Sequence, residues 1–478
     1  MRSPSSLSRE VLAGIVTTLA LIPEVISFSV IAGVDPKVSL IASVVLAISM
    51  SFLGGRPAMV TAAAGAVALV VAPLVREHGV EYILPVVLLA GTIQILFGLA
   101  GLHRVMNFVP RSVMTGFVNA LGILIFGAQV RHLFGGTAEV YALFVLTVSI
   151  VLLAPRLTKS VPAPLIAIAA VTAVAVVFGI DAPSVRGDGQ MQPGLPGITP
   201  FLVPFDVQTL QIVWSTALSV AFVGLLETLL TAKLVDEMTE TGSDKRRESW
   251  ALGIGNILAG FYGGIAGCAM IGQTVVNVKF GRARTRISTL TAGVVLLILV
   301  TALNEVLARI PMIALAAVMM VVALRTIDWN SLRPASLRRS PVTETLIMAV
   351  TVAFVVATDN LAIGVGAGVV LAMIFLAFQL AGRTHVERIL SEDGSHVRYR
   401  VRGPLFFGSS SELASRFSPA SDPESIIIDF EQSQICDASS MTVLDAIHAK
   451  YRARGANVTF VGLDDHSLVL RARLSGHG

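Results

Sequence analysis

The sequence predicts an α-helical polytopic membrane protein of fourteen spans, built as two inverted repeats of seven helices and followed by a small α/β domain. The first observation is composition: 54% of the 478 residues are hydrophobic and only 14% are charged, against about 25% charged in soluble domains. The second is charge distribution, because residues 383–478 hold 23 charged residues and the far longer stretch 1–382 holds 43. The third is a regular series of apolar segments. We therefore predict a transmembrane domain over 1–382 and a cytoplasmic domain over 383–478.

The apolar segments have the length and spacing of membrane-spanning helices. A span takes about 20 apolar residues, so 382 residues accommodate roughly fourteen spans with short loops. Glycine, proline and charged residues separate the segments. They lie near residues 10–31, 38–53, 60–75, 82–101, 110–130, 139–155, 161–179, 210–235, 248–262, 266–280, 286–303, 310–325, 342–358 and 360–381.

The positive charges predict the orientation of the chain, because Lys and Arg near helix ends stay on the cytoplasmic side. With fourteen spans, the outer loops carry only Arg76, Arg131, Arg186 and Arg309. The inner loops carry many more, including Arg56 and the clusters at 245–247 and 282–286. An odd number of spans would leave a rich cluster outside. We therefore expect a cell (inner or plasma) membrane protein with both termini in the cytoplasm.

The third and tenth segments are short and rich in Gly, Ala and Thr, unlike lipid-facing helices. They read RPAMVTAAAGAVALVVAP and GGIAGCAMIGQTVVNVKFG, and they lie seven spans apart. This placement is expected of interrupted helices in two inverted repeats, which meet near the bilayer midplane. A half-helix that begins inside the membrane presents free N–H groups and the positive end of its dipole, which bind anions. Close helix packing is the alternative explanation for the small residues.

Two carboxylates lie inside predicted spans, where charge is costly and therefore marks function. Glu24 follows Pro23 in the first span, with Phe28 one helical turn later on the same face. Glu227 lies in the eighth span with Thr231 four residues later, and nine residues separate it from Asp236. Both occupy the first span of a repeat, as a two-fold arrangement requires. The alternative is a carboxylate satisfied by a neighbouring helix.

Other patterns limit the class of protein. Two cysteines and eight scattered histidines exclude a disulfide framework and indicate no metal site, and we expect no cofactor. A net charge of +4 is too small to indicate nucleic acid. No Walker lysine motif is present, and no nucleophile with its base suggests an enzyme. The arginines over 333–339 are explained by topology or by contact with anionic lipid.

The tail after Gly382 has the pattern of a βαβ unit. Apolar runs at 426–428 and 458–461 flank an amphipathic helix near 441–454 that Gly455 ends. Before that helix lies the sequence DASS, where we expect Asp437 and Ser439 to cap the helix N-terminus.

Several motifs together resemble the SulP/SLC26 inorganic anion transporters. They are LAGIVTTLALIPEVISFSVIAGVDP, PRSVMTGFVNALGILIFGAQV, LLETLLTAKLVDEMT and GGIAGCAMIGQTVVNVKFGRARTRIS. The resemblance covers nearly the whole chain, including a tail similar to a STAS domain, in which Ser439 occupies the phosphorylatable position. It implies a 7+7 fold with core and gate domains, a homodimer and a membrane lipid environment. It also implies an anion site lined by Phe28, Ala64, Gly65, Ala269 and Met270, and a coupling-ion position at Glu227 and Thr231.

The chain departs from that family at three positions. Many relatives have an arginine where this sequence has Gln273, so the fixed positive charge is absent. Some sodium-coupled relatives supply a hydroxyl two residues earlier, where this sequence has Ile271. Glu24 stands where relatives often have glutamine. An ionised acid beside an anion site is repulsive, so protonation of Glu24 would favour anion binding.

The sequence therefore predicts a secondary active transporter of a small anion, of the sulfate, bicarbonate, chloride or dicarboxylate class. Proton coupling is the preferred mechanism, with Glu24 and Glu227 as carriers and Gln273 at the anion site. A sodium-coupled symporter or an anion exchanger is the alternative. A nucleobase carrier shares the 7+7 fold, but the anion-family motifs argue against it. A membrane sensor without transport is a further alternative, and it would need no coupling carboxylates.

Overall fold

The computed structural model describes residues 4–134, 136–157, 161–185, 197–204, 206–302, 304–464 and 467–469. Arg186, which the orientation argument used, lies outside these residues. The predicted series of fourteen membrane segments is present. Their helices are α1 Pro4–Ala32, α2 Pro36–Leu53, α3 Gly65–His78, α4 Ile83–Leu99, α5 Arg111–Val130, α6 Ala138–Leu157, α7 Ala163–Val177, α8 Val207–Thr239, α9 Lys245–Gly260, α10 Ile271–Val275, α11 Arg286–Ala302, α12 Met312–Thr326, α13 Val342–Thr358 and α14 Leu361–Ala381.

The third and tenth segments are interrupted. Strand β1 (Thr61–Ala63) precedes α3, and strand β2 (Gly267–Ala269) precedes α10, which continues as a π-helix over Val276–Phe280. Short helical turns lie at Val80–Tyr82, Leu102–Phe108, Arg131–Leu133, Asn304–Ala308, Trp329–Leu332 and Pro334–Arg339. Among the described residues, seven helices are long and apolar enough to cross a membrane, and four shorter apolar helices accompany them.

The helices pack as two bundles whose contacts repeat between the two halves of the chain. The core bundle is α1–α4 with α8–α11, and the gate bundle is α5–α7 with α12 and α13. In the core bundle, α4 packs on α8 and α9, and α11 packs on α1 and α2. In the gate bundle, α5 packs on α13, and α12 packs on α6. When every helix is exchanged with the one seven positions away, the contacts of α4 become those of α11, and the contact of α5 becomes that of α12. This correspondence is the signature of the inverted repeat.

Glycine allows α4 and α9 to approach each other closely. A Cβ atom added at Gly91 would lie 2.7 Å from the carbonyl oxygen of Gly253, and one at Gly253 would lie 2.4 Å from the oxygen of Gly91. A side chain at either position would therefore force the helices apart. Small residues at such contacts are how helices associate tightly in lipid, where hydrophobic burial adds little.

Charged residues form hydrogen bonds between helix ends on the side of the core bundle where α1 begins. Arg247 Nε donates to the Leu53 carbonyl at 2.7 Å, and Arg286 Nη1 donates to the Ser51 carbonyl at 3.1 Å. These are the last carbonyls of α2, which have no partners within the helix. The buried Glu248 carboxylate accepts from the Arg56 N–H at 2.8 Å. The arginines therefore stabilise the core bundle.

The C-terminal domain has a four-stranded mixed sheet with two helices. Strands β3 (His385–Leu390) and β4 (His396–Leu405) are antiparallel, whereas β4, β5 (Ser425–Ile435) and β6 (Asn457–Val461) are parallel in that order. Helix α15 (Phe407–Ser415) connects β4 to β5, and α16 (Ala438–Arg452) connects β5 to β6. The predicted βαβ unit is therefore confirmed. By its contacts, the chain divides at Val369/Val370, within α14; the boundary near Gly382 stays a prediction.

The loop before α16 differs in one detail from the expectation. Asp437 is the N-cap, and its carboxylate accepts from the Ser440 N–H at 2.9 Å and from the Ser440 hydroxyl at 2.8 Å. Ser439 is not a cap, because it is already the second residue of the helix, and its side chain is exposed. The capping oxygen must come from the residue just before the first helical turn, and Asp437 occupies that place.

A buried carboxylate organises the core of the C-terminal domain. The Asp422 side chain is fully buried and accepts from the hydroxyls of Tyr399, at 2.6 Å, and Tyr451, and from Arg388 Nε at 2.8 Å. Burial and the hydrogen bond to Asp422 raise the pKa of both tyrosines above their usual range. The hydrogen bond to Asp422 also raises the pKa of Arg388.

Replacing Asp422 by alanine leaves two buried hydroxyls without their acceptor, so we expect the C-terminal domain to lose about 3 kcal/mol of stability. Pulse proteolysis of the full-length protein across a urea gradient measures this loss as a lower midpoint for cleavage of the tail. The exposed Glu392→Ala serves as the matched control, with a change below about 0.5 kcal/mol. An unchanged midpoint for Asp422→Ala would contradict the structural role of the cluster.

The same cluster predicts how the stability of the domain depends on pH. A tyrosine whose folded pKa is raised contributes stability that is complete below its unfolded pKa of about 10 and is lost as pH rises through the folded value. We therefore expect a stability plateau from neutral pH to about pH 10, with loss only in stronger alkali.

Candidate functional site

The two half-helices begin at a short antiparallel strand pair in the middle of the core bundle. Ala62 in β1 lies opposite Cys268 in β2. Helix α3 starts two residues after β1 and α10 starts two residues after β2, with Ala64 and Met270 as their N-caps. Neither N-cap side chain bonds to its helix. The first N–H groups of a helix have no partner within it, so both starts present amides and a positive dipole end.

Four buried side chains supply acceptors for the strand pair and its approach. The bonds are Ser43 Oγ to the Ala63 N–H (3.1 Å), Thr228 Oγ1 to the Ala269 N–H (3.0 Å), Thr274 Oγ1 to the Val60 N–H (3.0 Å) and Asn256 Oδ1 to the Gly267 N–H (2.7 Å). Non-helical backbone is tolerated at membrane depth only when the protein satisfies it. These hydrogen bonds therefore stabilise the strand pair where a continuous helix would otherwise form.

Phe28 covers the start of α3. Its side chain is buried, and a Cβ atom at Gly65 would lie 2.5 Å from Phe28 Cε1. The ring therefore rests on the glycine that begins the half-helix, where no larger residue fits without displacing it. The sequence predicted that these two residues share a site, and the structure places them in contact.

Glu24 lies one helical turn before Phe28 and meets the other half-helix. Its carboxylate accepts a hydrogen bond from the side-chain amide of Gln273, which is buried in α10. Glu24 itself is partly buried. The Ser27 hydroxyl donates to the Pro23 carbonyl at 2.9 Å, so this turn of α1 is locally supported. Two of the three positions at which the resemblance implied a departure, Glu24 and Gln273, are therefore direct partners.

Glu227 lies behind β2, on the buried face of α8. Its Oε2 accepts a hydrogen bond from the Cys268 thiol at 2.9 Å. The Thr231 hydroxyl lies 2.7 Å from the Glu227 carbonyl oxygen and 3.2 Å from that of Ala269. The predicted coupling residues thus contact β2, which leads directly into α10. The structure therefore brings the predicted coupling residues together at β2.

Several residues of the site were absent from the sequence prediction. Cys268, Thr228, Asn256 and Ser43 bond across 41, 41, 11 and 20 positions of the chain. Ser43 and Thr228 carry no sequence signal, because single hydroxyls are common in membrane helices. Asn256 offers one, as an amide within an otherwise apolar part of α9 whose buried nitrogen also donates to Gln94 at 2.8 Å.

The whole chain is similar to known membrane transporters. The profile of the sulfate permease family matches residues 7–151 and 138–351, and that of the STAS domain matches residues 388–473. A putative sulfate transporter, YbaR of Bacillus subtilis, is 43% identical over 470 residues, which are 98% of this chain and 97% of that protein. The bicarbonate transporter BicA of Picosynechococcus is 25% identical over 88% of this chain and 82% of that protein.

Solved structures have the same fold. The transmembrane domain of a cyanobacterial bicarbonate transporter BicA superposes with a TM-score of 0.68 at 26% identity, covering 77% of this chain and 98% of that one. Murine Slc26a9, an anion transporter in the inward-facing state, gives a TM-score of 0.86 at 17% identity, covering 100% of this chain and 88% of that one; at this identity the likeness shows the fold alone.

The fold of two inverted repeats, the family profile over most of the membrane segments and a 43% identical relative of equal length agree. The resemblance seen in the sequence motifs is thereby confirmed. The chain belongs to the sulfate permease (SulP/SLC26) family of multi-pass membrane anion transporters and carries a C-terminal STAS domain.

Proposed function

We propose that the protein is a proton-coupled symporter of a small anion. The anion binds between the starts of α3 and α10, against Phe28, Ala64, Gly65, Ala269, Met270 and Gln273. Glu24 and Glu227 carry the coupling proton, and Thr231 supports Glu227. No cofactor takes part in this scheme.

The observation that carries this proposal is the hydrogen bond between Glu24 and Gln273. It puts a carboxyl group at the half-helix where relatives place a fixed positive charge. An ionised Glu24 repels an anion at the helix starts, whereas a protonated Glu24 is neutral and has a hydrogen-bond donor to offer. Anion and proton therefore favour each other's binding, which is the thermodynamic requirement for symport.

The surroundings of Glu227 support a proton over sodium as the coupling ion. A hard cation such as sodium is best bound by several oxygen ligands, as other hard cations are. Here the Glu227 carboxylate accepts a hydrogen bond from the thiol of Cys268, and Ile271 offers no side-chain oxygen. Sodium symport and anion exchange remain the alternatives that the same fold would serve. They differ from the proposal in which gradient drives uptake.

The substrate follows from the chemistry of the half-helix starts. Backbone amides and helix dipoles recognise charge and size more than chemical identity. Sulfate and bicarbonate are the substrates named for YbaR and BicA, and chloride or a dicarboxylate fits the same description. A nucleobase is less suited, because a neutral ring gains little from a dipole end.

The remaining proposals concern the protein in its membrane. Positive loop charges support a cytoplasmic location for both termini in the cell membrane, and the arginines over 333–339 fit contact with anionic lipid. By family resemblance, we further propose that the chain forms a homodimer and that the STAS domain regulates transport. Ser439 is exposed and so is open to modification.

Purified protein in liposomes tests the proposal directly. Labelled sulfate, bicarbonate, chloride and a dicarboxylate are supplied under imposed pH or sodium gradients. We expect uptake of at least one anion to rise when the proton gradient is directed inward. Uptake that responds only to sodium, or only to a counter-anion inside the liposome, would replace this mechanism with one of its alternatives.

Replacing Gly65 or Ala269 by leucine places a bulky side chain at the half-helix starts. Because a Cβ at Gly65 already overlaps Phe28, we expect anion affinity to fall by about tenfold or more. Isothermal titration calorimetry measures the affinity. Gly127→Leu is the matched control, since a Cβ there meets nothing within 4 Å. Unchanged affinity in both site variants would move the anion site elsewhere.

Replacing Glu24 or Glu227 by glutamine keeps the shape and polarity of the side chain but removes its ability to bind and release a proton. We expect each variant to lose most of the response of uptake to a pH gradient, while Glu24→Gln still binds the anion because its side chain is permanently neutral. Uptake at a series of external pH values gives the profile. A glutamine variant at Glu227 that loses sodium stimulation but retains the pH response would instead assign that residue to sodium.

Deleting residues 385–478 removes the sheet and both helices of the STAS domain. Because the domain has its own buried core, we expect the membrane domain to fold without it, with a changed transport rate or a less stable dimer. Liposome uptake and light-scattering mass after size-exclusion chromatography measure the two effects. Equal rate and equal mass would exclude a regulatory role under those conditions.

A further inference from the structure

Cys268 joins the two halves of the proposed mechanism. It is the central residue of β2 and is completely buried, opposite Ala62. Its thiol lies 2.9 Å from Glu227 Oε2 and donates to it. The next residue, Ala269, is bonded to α8 through its N–H and lies within hydrogen-bonding distance of the Thr231 hydroxyl through its carbonyl. Helix α8 therefore holds two consecutive residues of β2, and only the Cys268 contact involves a carboxylate.

Strand β2 leads directly into the anion site. Cys268 lies two residues before Met270, the N-cap of α10. The Met270 N–H donates to the Val60 carbonyl at 2.8 Å, just before β1. A movement of the Glu227 side chain that changes its bond to Cys268 is therefore passed along three residues to the first amides of the half-helix.

We infer that Cys268 is a positioning residue, whose thiol fixes the Glu227 carboxylate against β2 and so links the coupling carboxylate to the anion site. This inference rests on the proposed function. A purely packing role would be met by alanine, which fills the opposite position at Ala62 and the following one at Ala269. A thiol adds a hydrogen-bond donor to the same small volume.

The immediate surroundings of Glu227 leave Cys268 as its electrostatic partner. Within the described residues, no charged side chain acts on Glu227 from α3, α4, α9 or α10, and the only titratable group that faces it is Cys268 on β2. Glu24 on α1 is bonded to Gln273 instead. Removing the thiol therefore removes the one side-chain donor that the carboxylate has in this part of the structure.

The test compares Cys268→Ala, Cys268→Val and Cys268→Ser with the wild type in proteoliposomes. Losing a hydrogen bond to a carboxylate disfavours its ionised form, so the pH midpoint of uptake should move to higher pH by about one unit, a tenfold change in proton concentration, in the Ala and Val variants. Cys268→Ser keeps a donor and should restore the wild-type midpoint. The anion KM at saturating proton concentration should change less than about twofold, because the half-helix amides are untouched.

Cys436→Ala is the matched control, because it removes the chain's other thiol, which is exposed. It should leave the pH profile unchanged. In this background the S–H stretching band belongs to Cys268 alone and should lie at the lower frequency of a hydrogen-bonded thiol. Glu227→Gln should raise that frequency, because a bond to a charged acceptor becomes a weaker neutral one. This infrared measurement needs no transport activity, so it decides the case even for a variant that is inactive.

The outcomes separate this inference from the function on which it rests. A wild type without any response to a pH gradient overturns the proposed proton symport, whatever the Cys268 variants do. If uptake by the wild type responds to a pH gradient but Cys268→Ala and Cys268→Val have the same pH midpoint as the wild type, only the role of Cys268 is overturned. An S–H stretching frequency that is unchanged by Glu227→Gln also overturns the role of Cys268.

Discussion

A polypeptide that stops being helical halfway across a bilayer must satisfy its backbone N–H and C=O groups without water. The strand pair of this protein meets that constraint with side chains from α2, α8, α9 and α10, each contributed by a different part of the chain. Those side chains pair N–H groups of the strands and their approach, whereas the first amides of α3 and α10 have no partner within their own helices. The anion site that we propose uses these amides.

In the proposed mechanism, protonation of Glu24 sets the charge at the anion site, where this chain has Gln273. The helix starts each contribute roughly half a positive charge through their dipoles, which is of the same order as one carboxylate at short range. Glu24 therefore decides the sign of the local potential. The arginines of the core bundle lie at the helix ends instead, where Arg247 and Arg286 bond to the last carbonyls of α2. The arginines that stabilise the core bundle are thus separate from the residues of the proposed anion site.

The sequence predicted the features that the bilayer imposes and missed those that depend on distant pairing. The fourteen segments follow from the length of apolar runs, and the two half-helices from their Gly, Ala and Thr content. Helix α8 begins three residues before and ends four residues after the predicted segment near 210–235, and the N-cap Asp206 fixes its start. The bonds of Glu24 to Gln273 and of Glu227 to Cys268 join residues far apart in the chain. Such pairs leave no periodic pattern, so only the folded structure shows them.

The glycine contact between α4 and α9 makes the core bundle stiff. Two helices whose backbones touch at Gly91 and Gly253 have no side-chain layer between them that can shear. Alternating access by such a bundle requires it to move as one body past its neighbours. For the proposed transport cycle, this stiffness places the movement at the boundary between the core bundle and its neighbours rather than within the core bundle.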